Sequence, residues 1–314
     1  MRDLRIVFMG TPDFAVAILK KVIENQLNVV GVITAPDRPA GRGRKLNESA
    51  VKKYASSQNL HLLQPKNLKD PVFLEELKSL NATLQVVVAF RMLPKAVWNM
   101  PEYGTFNLHA SLLPAYRGAA PIHWSIINGE KKTGVTTFFI DEKIDTGEVI
   151  QQKEIEIGDH ETVGELHDKL MNLGATLVSE TIELIKEEVV ETQKQPEIAL
   201  KDAPKLNQSN CKVDWTDSLD NIYNHIRGLN PFPAAWSEMH NHGDAISLKL
   251  YKVRKEEAIH QHVSGKVITS KSDIKVCVNG GYIFLDEIKV SGKKKLDAKS
   301  LLNGFSFSED AKML

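Results

Sequence analysis

Leu84-Gln85-Val86-Val87-Val88-Ala89-Phe90 is the most apolar strand-like run in the chain. It shows no alternation, so both of its faces need cover, as in a parallel sheet packed between helices. Outward from it, residues 4–9 form a similar run broken by one Arg, and residues 29–33 form a third. Between these two, Phe14, Ile18 and Val22 recur at helical spacing and predict a helix over residues 14–26. Residues 47–58 read as a helix opened by an Asn cap, and residues 70–80 as one with Pro71 at its first position. The alternation predicts an α/β domain, doubly wound on a mostly parallel sheet.

Further along, residues 104–109 read as a strand. Residues 134–140 and 148–157 follow as β segments bridged by the turn Asp145-Thr146-Gly147. Residues 162–190 carry Val163, Leu166, Leu170, Leu173, Leu177, Ile182 and Ile185 at helical spacing. The periodicity then stops: residues 191–210 hold two Pro and several Gln and Asn. We assign residues 1–190 to the first domain, 191–207 to a linker and 208–314 to a second domain. After a short helix near residues 219–228, the strand-like runs 246–253, 265–269, 274–278 and 282–290 predict a small C-terminal β-barrel.

The 314 residues are 42% apolar and 25% charged, values that suit two soluble domains rather than a disordered chain. Forty basic residues balance forty acidic ones, which excludes wholesale polyanion binding. The balance is local: residues 1–100 carry 15 basic and 8 acidic side chains, 101–206 carry 10 and 19, and 207–314 carry 15 and 13. Contact with phosphate is therefore expected through patches. Cys211 and Cys277 stand far apart without a CxxC, which argues against a disulfide scaffold or zinc knuckle and suits a reducing cytosol. No stretch has the length and apolarity of a membrane span, and the start resembles a strand rather than a signal peptide.

The sharpest constellation is Phe106-Asn107-Leu108-His109-Ala110-Ser111-Leu112-Leu113-Pro114. Strand alternation puts Asn107 and His109 on one face, at the carboxyl edge where open α/β sheets bind ligands. Spacing alone leaves a structural pair capping a loop equally open. Asp145, before Thr-Gly, reads on its own as turn chemistry. Gly10-Thr11-Pro12 fits neither GxGxxG nor GxxxxGK[ST], which disfavours a dinucleotide-binding oxidoreductase. Asp37-Arg38-Pro39-Ala40-Gly41-Arg42-Gly43-Arg44-Lys45 packs four cations into nine residues and reads either as a solvated loop or as a phosphate contact. Lys293-Lys294-Lys295 is a second basic turn, read as solvated.

Three of these stretches, Asn107-Leu108-His109 through Pro114, Tyr116-Arg117-Gly118-Ala119-Ala120-Pro121-Ile122 and Asp145-Thr146-Gly147, resemble the formyltransferases that use 10-formyltetrahydrofolate. Phe8-Met9-Gly10-Thr11-Pro12-Asp13-Phe14-Ala15, the basic loop, Gly228-Leu229-Asn230-Pro231-Phe232-Pro233-Ala234-Ala235-Trp236 and Leu301-Leu302-Asn303-Gly304 extend the resemblance nearly end to end. It implies a catalytic trio of Asn107, His109 and Asp145. Asn107 and a His109 N–H would face a developing oxyanion, with Asp145 orienting the ring. It also implies 10-formyltetrahydrofolate as co-substrate, no metal, and folate contacts from Phe90, Met92, Leu93, Ser111, Leu112, Leu113 and Pro114. Many relatives carry a Tyr-Gly-containing stretch where this chain reads Phe90-Arg91-Met92. The basic loop and second domain resemble those of the branch that formylates methionine esterified to initiator tRNA. Arg38, Arg42, Arg44 and Lys45 are then tRNA contacts, and the barrel is OB-like. The implied protein is cytoplasmic, a monomer and free of membranes. Alternatives are a formyltransferase acting on a small amine, and a non-catalytic tRNA- or folate-binding protein.

Overall fold

The computed structural model describes residues 1–40, 45–197 and 201–314. Leu84–Val88 lies at the centre of a seven-stranded sheet and is buried along its whole length. Across that sheet the strands run in the order Val149–Glu156, Lys132–Phe139, Thr105–His109, Leu84–Val88, Ile6–Gly10, Val29–Ile33, Leu62–Leu63. Leu84–Val88 pairs in parallel with Ile6–Gly10 and with Thr105–His109. Parallel pairing continues outward to Val29–Ile33 and Leu62–Leu63. Thr105–His109 pairs antiparallel with Lys132–Phe139, so the strand direction reverses on that side. The doubly wound, mostly parallel sheet expected from the apolar runs is present.

Caps explain where the helices begin. Asp70 accepts from the Val72 N–H, with Pro71 following in the first turn of Pro71–Ser79. Thr162 and Glu165 form a reciprocal capping box at the start of Val163–Glu187: the Thr162 N–H donates to Glu165 Oε2 at 2.8 Å. One start differs from expectation. The Ala50–Ser57 helix is capped by Ser49, whose hydroxyl accepts from Lys52 N–H, not by Asn47. Asn47 instead ends the short strand Lys45–Asn47, opposite Arg38.

The C-terminal strands form an antiparallel sheet in the order Val267–Thr269, Ile274–Val278, Gly281–Val290, Asp244–Glu257, Ala235–Asn241, Lys312–Met313. Its two ends meet at a Lys266–Lys312 bridge, reinforced by Val267 N–H to Ala311 O at 2.9 Å and Met313 N–H to Gly265 O at 2.8 Å. The result is the expected small barrel. Ala235–Asn241 alternates buried and half-buried residues, and the expected strands did not include it because its sequence follows three closely spaced turn residues. Cys211 and Cys277 are buried free thiols.

The chain resolves into two compact units. One comprises Met1–Gly118, Thr133–Ile155 and His167–Asp202; the other comprises Ala119–Lys132, Glu156–Leu166 and Ala203–Leu314. Hydrogen bonds explain why two internal segments join the barrel unit. Trp124 Nε1 donates to Pro204 O at 2.7 Å, and buried Arg227 donates to Glu161 O at 2.7 Å. Among the described residues, no helix is long and apolar enough to cross a membrane.

Candidate active site

Thr105–His109 is the last strand of the parallel run, paired in parallel with Leu84–Val88 and antiparallel with Lys132–Phe139. Phe106 and Leu108 are buried on one face, and Leu108 fills the space left by Gly174 of the long helix, where a Cβ would stand 2.7 Å from Leu108 Cδ2. Asn107 and His109 take the other face by strand alternation. The Asn107 side chain is half-buried and has no hydrogen-bond partner among the described residues.

His109 is buried, with its ring held from two sides. Nε2 lies 2.8 Å from Tyr116 O, and Nδ1 faces Asp145 Oδ2 at 3.8 Å. A carbonyl oxygen only accepts, so Nε2 carries the hydrogen, and in the neutral ring the lone pair sits on Nδ1. Asp145 therefore faces the nitrogen that gains or loses a proton.

Asp145 owes its position to local geometry as much as to its chain neighbours. Its φ of +55° is a left-handed conformation that Asp tolerates better than most residues. Gly118 N–H donates to Oδ2 at 3.0 Å. Two residues on, a Cβ at Gly147 would stand 1.6 Å from Phe139 O, so only glycine fits there. Gln195 closes the turn: Nε2 donates to Asp145 O at 3.1 Å and to Gly147 O at 2.7 Å, while Arg117 donates to its Oε1 at 2.7 Å. Arg117 and Gln195 were not among the expected site residues. Arg117 stood in a quoted motif, but Gln195 sits in the aperiodic stretch and carried no signal.

The loop after His109 is equally fixed. Thr136 Oγ1 donates to Ser111 O at 2.6 Å and accepts from Leu113 N–H at 3.1 Å and Gln152 Nε2 at 2.9 Å. Ser111 Oγ donates to Ala115 O at 2.7 Å. These bonds aim the Tyr116 carbonyl at the imidazole.

The seven residues expected to meet folate divide into two groups. Leu93 packs in the core with Val87 and Val97, Leu113 packs with Phe138 and Val149, and the fully buried Ser111 spends its hydroxyl on Ala115. Phe90, Leu112 and Pro114 are half-buried, and Met92 is 70% exposed. Arg91 turns away from open solvent: its guanidinium donates to Lys66 O at 2.9 Å and to Pro65 O, and lies over the Phe90 ring. Burial pushes its pKa down, and nearby Arg38 adds to the shift. Phe90 and Arg91 line a cleft of about 330 Å³ with Thr11, Pro36, Arg38 and Ser49.

Of the basic loop, Arg38 is exposed and the Lys45 backbone lies in a strand, while Arg42 and Arg44 lie outside the described residues. The base of the loop is anchored by Asp37, which pairs with Lys52 and accepts from Gln64 Nε2 at 2.9 Å. The Lys52 ammonium, followed by Gln64, holds the Asp37 carboxyl below the usual carboxylate range. Among the described residues, no group of three or more His, Cys, Asp or Glu is placed to hold a metal ion.

An amide, an imidazole and a carboxylate converging at a sheet edge suit acyl transfer. Comparison with known proteins agrees. The family model described as "Formyl transferase" matches residues 4–182, and "Formyl transferase, C-terminal domain" matches residues 205–306; the chain belongs to this formyltransferase family. Its curated relatives include the methionyl-tRNA formyltransferase of Flavobacterium johnsoniae, 56% identical over 100% of both chains. That of Bacteroides thetaiotaomicron is 51% identical over 99% of this chain and 98% of the relative. Among solved structures, an N-formyltransferase from Helicobacter canadensis in complex with folinic acid and dTDP-3-aminofucose superposes with a TM-score of 0.67 at 21% identity. That match covers 90% of this chain and 98% of the other, and at this identity it speaks for the fold alone.

Proposed function

We propose that this chain transfers a formyl group from 10-formyltetrahydrofolate to the α-amino group of methionyl initiator tRNA. The observation that carries the mechanism is the pairing of an unused Asn107 amide with an imidazole whose Nε2 is committed to Tyr116 O. Identity across the whole length with relatives named for methionyl-tRNA supports the acceptor.

The chemistry follows from these groups. A free α-amine has a pKa near ~8, so about a tenth of it is unprotonated and nucleophilic at pH 7. As the amine nitrogen attacks the formyl carbon, negative charge develops on the formyl oxygen. The Asn107 amide N–H is the donor available for it, worth about 3–4 kcal/mol in such sites. Sequence alone suggested a His109 N–H as a second donor. In the structure the neutral ring's only N–H points at Tyr116, which supports a proton-transfer role for His109 instead. Its Nδ1 takes the proton lost by the attacking amine and returns it to the departing N10 of the folate. The transient imidazolium then has Tyr116 O on one nitrogen and Asp145 on the other. Because Nδ1 and Asp145 stand 3.8 Å apart, a small ring shift or one water completes that contact. Phe90, Met92, Leu112 and Pro114 offer the folate-facing surface, whereas Leu93, Leu113 and Ser111 support it from the core side.

Initiator and elongator methionyl-tRNA, assayed side by side with 10-formyltetrahydrofolate, test the substrate. Rapid formylation of the initiator alone is expected; donor turnover without a formylated tRNA would redirect the assignment to a small amine. His109→Ala tests the mechanism. It should lower kcat by about 10²–10⁴-fold with tRNA affinity unchanged, and full activity in this variant would refute the proton-transfer role.

A further inference from the structure

Residues 191–202, which open the stretch assigned above to a linker, belong to the sheet unit. From Glu191 to Glu197 every side chain is exposed except that of Gln195, which is half-buried. A run this exposed buries little apolar surface, so what it does rests on its hydrogen bonds. Its backbone meets the sheet at Gln193 and Val149, which exchange N–H to carbonyl bonds of 2.8 Å. Covering the edge of the Val149–Glu156 strand accounts for that bridge. It does not account for the bonds that follow.

Those bonds go to the two groups that hold the His109 ring. On the Asp145 side, Gln195 Nε2 donates to the carbonyls of Asp145 and Gly147, at 3.1 and 2.7 Å. A guanidinium only donates, and this fixes the amide's orientation. Arg117 Nη2 lies 2.7 Å from Gln195 Oε1 and 3.0 Å from Pro196 O, which leaves Nε2 to face the turn. The turn needs such support, because the four residues before Asp145 are all exposed and core packing does not hold it from that side.

On the other side of the ring, the Tyr116 N–H donates to Lys201 O at 2.6 Å. Tyr116 has a φ of +61°, a left-handed conformation that a bulky residue keeps only where its surroundings impose it. In that conformation its carbonyl meets His109 Nε2. One segment therefore reaches both partners of the imidazole, Asp145 through a side chain and Tyr116 through the main chain.

We infer that Gln195, oriented by Arg117, is a positioning residue for formyl transfer: it sets the Asp145 turn and acts on His109 through it, from a segment whose Lys201 carbonyl also sets Tyr116. The inference rests on the proposed role of His109 and adds what keeps the partners of its ring in place. Gln195→Glu in the full chain separates positioning from bracing. The variant keeps the shape, the backbone bridge and an acceptor for Arg117, but an ionised carboxylate has no N–H for the two carbonyls. Formylation of initiator methionyl-tRNA should lose roughly 10- to 100-fold in kcat, as for a catalytic group displaced by about 1 Å, with KM for donor and tRNA unchanged. In an Asp145→Asn background the same substitution should cost less than about threefold, because residues that act as a unit are not additive. With isotope-labelled histidine rings, Gln195→Glu should shift the His109 nitrogen signals and leave those of His61 and His225 in place. A rise in KM for tRNA with kcat intact would overturn the inference and make the segment a substrate contact. Full multiplication of the two losses in the double variant would overturn it too, since Gln195 would then act elsewhere than on Asp145. Unmoved His109 signals would refute the positioning even if the wild type formylates no tRNA, a result that by itself overturns only the proposed function.

Discussion

At the scale of single residues, the site is a case of two side chains readable in advance and their partners hidden. Asn107 and His109 follow from strand alternation alone, and the structure puts both at the expected sheet edge. Asp145 lies 36 positions beyond His109, and only the antiparallel return beside Thr105–His109 brings it back. No spacing rule reports that return, which is why the residues by themselves read as an ordinary turn. Gln195 is hidden more deeply: it lies in a stretch with no periodicity, yet its amide ties the carbonyls of Asp145 and Gly147 together. Replacing it with Met keeps the length and removes both donors. Gln195→Met should lower kcat by roughly tenfold to a hundredfold, since a displacement of about 1 Å in a catalytic group can cost 10²-fold. The shape of the pH–rate profile should change with it. A simple loss of protein stability, with kcat and pH profile intact in the folded fraction, would show that Gln195 only braces the fold.

Helices and strands were legible wherever periodicity and caps agreed, as at Asp70–Pro71 and Thr162–Glu165. They were misplaced where a polar residue offered a competing cap, as Asn47 did, because Ser49 makes the bond and Asn47 belongs to a strand. The Leu219–Arg227 helix shows what sequence leaves out at this level. The helix itself was expected near residues 219–228, but not that His225 would be packed so that ring Nε2 is buried without a partner among the described residues. Burial pushes the His225 pKa below its ordinary value, against weaker opposing effects from the Cys211 backbone and Asp217. Above the unfolded value of about 6.5 the ring is neutral in both states and adds no pH dependence. Below it the unfolded chain binds a proton that the folded one resists, so stability falls as pH drops toward the folded value. The slope from one such group is at most about 1.4 kcal/mol per pH unit. Thermal melts between pH 7 and 5 should therefore show the barrel unit losing stability, and His225→Gln should flatten that decline. An identical decline in the variant would assign it to other groups.

For the whole molecule, zero net charge conceals a division of labour. The first hundred residues are basic, the next hundred acidic, and the basic side chains we connect with RNA fall in two different compact units. Arg38 belongs to the sheet unit; Lys249 and Lys289, exposed register partners on neighbouring strands, belong to the barrel. A protein without a net monopole must gather a polyanion through such patches, and each patch that neutralises its own phosphates contributes its own share of counterion release. Groups that share no partners and sit on separate units should contribute additively, within about 0.3–0.5 kcal/mol. We therefore expect the Arg38→Gln/Arg42→Gln pair and the Lys249→Gln/Lys289→Gln pair to weaken initiator tRNA binding independently. Joined in one chain, their effects on affinity should multiply and their reductions in salt slope should add. The loop pair should in addition depress formylation of bound tRNA while sparing slow hydrolysis of the folate donor, because a loop at the catalytic unit can position the acceptor end. The barrel pair should leave catalysis at saturation untouched. A combined variant no weaker than the worse of the two pairs would mean that both patches act on the same phosphates. In that case the picture of two separate grips on one tRNA would have to be abandoned.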